Sequence, residues 1–175
     1  MLDLACGECK EGYVLSAFFG GNQYGLPSDK VKIVGIDVDK SEIDRAIRRQ
    51  QKPDYSQKIT TWHQPSNFEF ICGDVTRLNQ YPEIPQQVDV VIIRHQQISD
   101  NEQKWLQIFR QGLERITQGG FILITSYSDI EHQMLIEVLQ KLPCQIVLNE
   151  KNPWARPLSH KEISLDRNVV IAKRQ

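Results

Sequence analysis

Three apolar stretches of the chain end in an acid: Asp3 within residues 2–4, Asp37 within 34–37 and Asp74 within 72–75. A carboxylate at a strand end can accept hydrogen bonds from both hydroxyls of a bound ribose, and grouped carboxylates favour a cationic ligand. The first acid opens the segment Leu2-Asp3-Leu4-Ala5-Cys6-Gly7-Glu8-Cys9-Lys10-Glu11-Gly12, in which small residues join a strand to an amphipathic helix. Backbone can approach a ligand there, and a carboxylate or phosphate at the helix start meets free N–H groups and the positive end of the dipole. The dinucleotide pattern G-x-G-x-x-G is not matched, because only Gly7 stands where several glycines are wanted. Cys6-Gly7-Glu8-Cys9 also has the C-x-x-C spacing of a redox pair or half a zinc site, at a helix start whose dipole would lower a thiol pKa. No second pair or nearby histidine completes four zinc ligands, so no metal is expected. Further along, Arg94-His95-Gln96-Gln97 follows an apolar run and offers a histidine that can take a proton from a hydroxyl or amine. The stretch Asn152-Pro153-Trp154-Ala155-Arg156-Pro157, with His160, offers Trp154 and Arg156 to an aromatic or anionic molecule, although Trp154 also suits a hydrophobic plug on a sheet edge.

These residues need elements to hold them. Apolar runs at 1–5, 31–37, 68–72, 88–94, 121–126 and 144–148 read as strands, and most are continuous enough to be covered on both faces. Between them lie helical faces: Tyr13, Val14, Ala17 and Phe18; Ile43, Ala46 and Ile47, with Ser41 as the cap; Trp105, Leu106, Phe109, Leu113 and Ile116; and Met134, Leu135, Val138, Leu139 and Leu142 after a capping Ser128-Asp129. A seventh strand, 168–173, follows the sixth across a long loop with no helix, so that pair must be antiparallel. The fold class is therefore α/β: a three-layer, doubly wound, mostly parallel seven-stranded sheet with an antiparallel last strand, its ligand crevice at the carboxyl ends of the strands.

Composition narrows the function. The 175 residues, 40% hydrophobic and 25% charged, suit one domain over 1–175 that needs no disulfides. No apolar run is long enough to span a bilayer, and the first residues lack a signal peptide, so a cytoplasmic protein with four free thiols is expected. With 21 Lys+Arg against 22 Asp+Glu there is no global field to draw in nucleic acid or an anionic membrane. A small-molecule partner is favoured. The basic cluster Arg45, Arg48 and Arg49 reads as a solvated helix face, and Cys72 and Cys144 as buried strand residues.

The chain resembles the class I, Rossmann-like S-adenosylmethionine-dependent methyltransferases of the small-molecule type, whose first motif has the form L-D-x-G-C-G-x-G. The matching pieces are Leu2-Asp3-Leu4-Ala5-Cys6-Gly7, Gly35-Ile36-Asp37-Val38, Cys72-Gly73-Asp74-Val75, the strand from Asp89 to His95, and Gly119-Gly120-Phe121-Ile122. The resemblance implies S-adenosylmethionine as cofactor, with Asp37 on its ribose, Asp74 near the adenine amino group, Val75 against the ring, and Asp3 with Gly7 beside the methionine moiety. Ala5, Val38 and Arg94 complete the implied cofactor set. His95 and Gln96 stand where the family often contacts its acceptor, with His95 as the candidate base, and Trp154 and Arg156 join them as candidate acceptor residues on their chemistry alone. Ala5 and Cys9 stand where the family has glycines, and each brings a Cβ into the turn. The chain starts at the first strand, without the helices that precede it in the family. An open site and self-association are therefore expected, and a non-catalytic or partner-dependent cofactor-binding module is the alternative to an enzyme. A thiol redox protein using Cys6 and Cys9 is the third reading.

Overall fold

The structure, a computed structural model, describes residues 1–21, 30–51, 67–158 and 163–175. His63 and His160 lie outside the described residues. The described residues group into two compact units, Met1–Val75 and Thr76–Gln175.

In the first unit, β1 (Leu2–Leu4), β2 (Ile33–Asp37) and β3 (Phe68–Cys72) are parallel, with Asp3 opposite Gly35 and Asp37 opposite Cys72. Leu2, Leu4, Ile33, Val34 and Ile36 are buried, as continuous apolar strands require. Helix α1 (Gly12–Phe19) departs from the predicted face: it buries Gly12, Ser16 and Ala17 and leaves Val14 68% and Phe18 76% exposed. The reason is Gly12, where a Cβ would stand 2.6 Å from the Phe68 ring, so this spot must face inward. With residues 12 and 16 inward, Val14 and Phe18 fall on the opposite side of the helix. Helix α2 (Lys40–Gln51) is capped by Asp39 rather than by Ser41. Asp39 Oδ1 accepts from the Ser41 N–H at 2.8 Å, the Ser41 hydroxyl at 2.7 Å and the Glu42 N–H at 3.3 Å. Nor is the basic face of α2 merely solvated. Arg45 Nε and Arg49 Nη2 reach the Glu8 carboxylate at 3.0 and 2.5 Å, and Arg45 also pairs with Glu42, so α2 is tied to the turn after β1.

In the second unit, β4 (Val88–Arg94) is parallel to β5 (Ile116–Ser126). The last strand, β9 (Asn168–Arg174), is antiparallel to both β5 and β6 (Cys144–Lys151). Helix α3 (Glu102–Arg115) is capped by Asn101, and α4 (Asp129–Leu139) by Ser128 as expected. β5 begins five residues before the predicted strand. Ile116 pairs with Val88, the register then slips, and Phe121 pairs with Val90. The glycines at 119 and 120 interrupt the apolar run and hide this start. Within the long loop, β7 (Arg156–Pro157) and β8 (Ser164–Leu165) form a small antiparallel pair. Seven-stranded and mostly parallel, with β9 antiparallel, the architecture is of the predicted α/β class.

Three surface expectations fail. Trp154 is 87% exposed rather than plugged into a sheet edge, and its backbone N–H donates to Asn152 Oδ1 at 3.0 Å. Cys72 is exposed and Cys144 half-buried, because each lies at the end of its strand rather than in its middle. No helix among the described residues is long and apolar enough to cross a membrane.

Candidate functional site

The turn after β1 is built on left-handed backbone. Ala5, Gly7 and Cys9 have φ of 57°, 52° and 45°. Only Gly7 adopts this conformation freely. The two positions where the sequence resemblance called for glycine are thus the two where an L-residue is strained. Replacing Ala5 by Gly relieves about 1–2 kcal/mol of left-handed strain against about 0.4–1 kcal/mol of added unfolded-chain entropy, so Ala5→Gly is expected to stabilise the protein by about 0.5–1 kcal/mol in a urea titration.

This turn brings Gly7 onto Asp37. The Gly7 N–H donates to Asp37 Oδ2 at 2.9 Å, and the Asp39 N–H donates to Asp37 Oδ1 at 2.8 Å. Each carboxylate oxygen is fixed by one amide and retains a lone pair, and two such acceptors side by side match a vicinal diol. The space beside Gly7 is open, since a Cβ there would meet nothing nearer than Glu42 Oε2 at 4.0 Å. Val38 follows with its apolar side chain 67% exposed. The Gly73 N–H donates to the Asp37 carbonyl at 2.8 Å, which sets Asp74 and the buried Val75 next along the chain. Asp3 differs from the other acids. It is 1% exposed and lies under Cys9, whose thiol donates to its Oδ2 at 3.5 Å. The structure therefore joins Gly7, Asp37 and the strand-three turn, while Asp3 supports the turn from below. These residues could hold a nucleoside, with paired acceptors for the ribose, Val38 and Val75 as apolar flanks for a ring, and a glycine that leaves room beside it.

Cys6 and Cys9 are both buried free thiols. Burial pushes each thiol pKa up, and the Asp3 carboxylate pushes it further. Desolvation and a fixed anion thus oppose the helix dipole that the C-x-x-C reading relied on and disfavour the thiolate that exchange chemistry uses. Thiol-reactive dye at neutral pH is expected to label Cys72 at once and Cys6 and Cys9 only on unfolding, as peptide mapping would report.

In the second unit, the end of β4 carries a polar cluster. Arg94 holds Asp166 in a two-pronged pair, Nε to Oδ1 at 3.0 Å and Nη2 to Oδ2 at 2.8 Å. The Thr125 hydroxyl donates to Asp166 Oδ1 at 2.6 Å, and His95 Nε2 stands 3.0 Å from the same oxygen. Burial would raise the Asp166 carboxyl, but His95, Arg94 and Thr125 together hold it well below the usual carboxylate range. The His95 ring stacks on Tyr127 with centroids 4.0 Å apart, and its φ of 57° is again left-handed. Gln96, the next residue, is fully buried, and both of its amide atoms lack hydrogen-bond partners among the described residues. Arg94, expected to serve the cofactor, is paired with Asp166 in this structure. Trp154 and Arg156 are exposed on and beside β7. The sequence reading missed Asp166 and Glu8. Asp166 sits in a turn at φ 52°, a conformation that Asp tolerates better than most residues, and the Leu-Asp-Arg-Asn order before β9 was the available signal.

A family model described as a methyltransferase domain matches residues 1–163. No curated protein matches the chain. Among solved structures, an rRNA methylase from Streptococcus thermophilus is 18% identical with a TM-score of 0.61, the match covering 99% of this chain and 85% of that one. An S-adenosylmethionine-dependent methyltransferase from Clostridium acetobutylicum is 11% identical with a TM-score of 0.64, covering 99% and 82%. The glycopeptide N-methyltransferase MtfA in complex with sinefungin is 9% identical with a TM-score of 0.67, covering 99% and 79%.

Proposed function

We propose, because this chain belongs to the methyltransferase-domain family and has the class I Rossmann-like fold, that it is an S-adenosylmethionine-dependent methyltransferase acting on a small-molecule acceptor. One observation carries the cofactor site: the Asp37 carboxylate, fixed by the Gly7 and Asp39 amides with a lone pair left on each oxygen. In this reading Asp37 binds the ribose hydroxyls, Val38 and Val75 flank the adenine, Asp74 receives its amino group, and the Ala5–Gly7 turn runs beside the methionine moiety. Asp3 acts through the turn it supports. Held by these residues, the cofactor would supply an electrophilic methyl on sulfur for an acceptor's lone pair and would leave as S-adenosylhomocysteine, the acceptor's proton passing to the protein. Holding the acceptor about 3 Å from that carbon in line does most of the work.

His95 and Gln96 serve the acceptor, with His95 receiving the proton. A net charge of -1 supports a small acceptor over nucleic acid. Trp154 and Arg156 remain candidates for holding it, being exposed and of suitable chemistry. The family match runs through both units, which supports one methyltransferase domain over 1–175. Four free cysteines support a reducing, cytoplasmic setting. The test is calorimetric titration with S-adenosylmethionine and S-adenosylhomocysteine. Binding of both supports the reading; binding of neither sinks it. Binding without turnover over hydroxyl, amine and carbon acceptors would favour a non-catalytic module, to which the strained Ala5 and Cys9 turn lends some weight.

A further inference from the structure

We propose that Asp166 is a positioning residue for His95: it holds the imidazole with a proton on Nε2, so that Nδ1 is the atom that takes the acceptor's proton. The proposal rests on the methyl-transfer reading for its purpose, but its geometry stands alone. Asp166 Oδ1 lies 3.0 Å from His95 Nε2. The contact is bent short of a well-aligned hydrogen bond, and Nε2 is buried without any other partner among the described residues. Even bent, it decides the tautomer. A bare Nε2 at that distance would set its lone pair against a carboxylate that Arg94 and Thr125 keep ionised, whereas an N–H there meets the negative charge favourably.

The other degrees of freedom are fixed too. The His95 N–H donates to the Thr125 carbonyl at 3.0 Å, and the ring lies at 19° to Tyr127. Thr125 thus holds both partners, through its carbonyl to His95 and its hydroxyl to Asp166. Both His95 and Asp166 occupy left-handed backbone, and strain of this kind persists only where the surroundings over-determine it. With Nε2 set against the carboxylate, Nδ1 is the other ring nitrogen and the one to which the proposal assigns an incoming group. A proton leaving an acceptor hydroxyl or amine ends on Nδ1, and the resulting imidazolium carries its charge against Asp166.

The measurement is long-range nitrogen–proton NMR on the full chain with labelled histidine, with His95→Gln assigning its signal among the four histidines. In the unmodified protein Nε2 should carry the proton and Nδ1 should not. Asp166→Asn keeps a side chain suited to positive φ but offers one acceptor instead of two oxygens, and Arg94 and Thr125 compete for it. The ratio of the Nε2–H to the Nδ1–H form should then fall by at least about tenfold, since a unit charge a few Å away in a half-buried site is worth more than that. Affinity for S-adenosylhomocysteine, measured calorimetrically on the same variant, should not change. A proton on Nδ1 in the unmodified protein, or an unaltered ratio in Asp166→Asn, overturns the proposal, and the first of these decides even if the variant does not fold. Absence of S-adenosylhomocysteine binding with the tautomer as expected would sink the methyltransferase reading and leave the positioning role.

Discussion

Asp37→Ala is expected to weaken S-adenosylmethionine binding by about 100-fold or more in a calorimetric titration. A hydrogen bond to a charged acceptor contributes about 1.5–3 kcal/mol, and the substitution removes two of them from the ribose at once, so about 3 kcal/mol or more is lost, or at least about two powers of ten. It also releases the Gly7 and Asp39 amides, which both close on this side chain, so the wall of the site loosens along with its acceptors. Asp37→Asn keeps one oxygen and swaps the other for a donor that confronts an amide N–H. Its loss should fall between the two. If both variants bind as the unmodified protein does, Asp37 is only a turn residue.

The second large effect concerns stability. Asp166→Gly is expected to destabilise the protein by about 3 kcal/mol at neutral pH, because it removes the two-pronged, charge-assisted pair with Arg94 and the acceptor of the Thr125 hydroxyl. Glycine is the informative replacement: it relieves the left-handed backbone at φ 52°, so the measured loss belongs to the carboxylate. The pH dependence follows from the direction of the shift. The folded carboxyl is held below its ordinary value near about 3.9, so in acid the unfolded chain binds a proton that the folded chain does not. The contribution of Asp166 is therefore complete above about pH 5 and lost as pH falls through the folded value. Denaturant curves for the two proteins should run parallel at neutral pH and converge below about pH 4. The variant will keep some acid sensitivity of its own, because Arg167, Asn168 and Lys151 also hold the Asp129 carboxyl down.

The strands along the chain and the place of Asp37 at the end of one were legible in the sequence because each rests on local signals. Continuous apolar runs name the strands, and an acid directly after such a run sits at its end. Helix rotation was not legible. Val14 and Phe18 match a helical period as well as Ser16 and Ala17 do, and only the Phe68 ring against Gly12 decides which stripe turns inward. Asp3 looked equivalent to Asp37 from its place at a strand end, yet one is buried under a thiol and the other set beside open space, a difference made by the path of the turn between them. Asp166 was out of reach because its partners, Arg94, His95 and Thr125, lie between 41 and 72 residues away along the chain. The environment of the C-x-x-C pair was hidden for a similar reason: spacing describes a thiol pair but not the carboxylate packed against it.

The clasp of Asp37 by the Gly7 and Asp39 amides has a kinetic consequence. Both oxygens are oriented in the absence of a ligand, so on the proposed reading this part of the site needs no rearrangement to receive a ribose. Encounter with the nucleoside should then be limited by diffusion and orientation, and differences in affinity between related nucleosides should reside in how long each one stays.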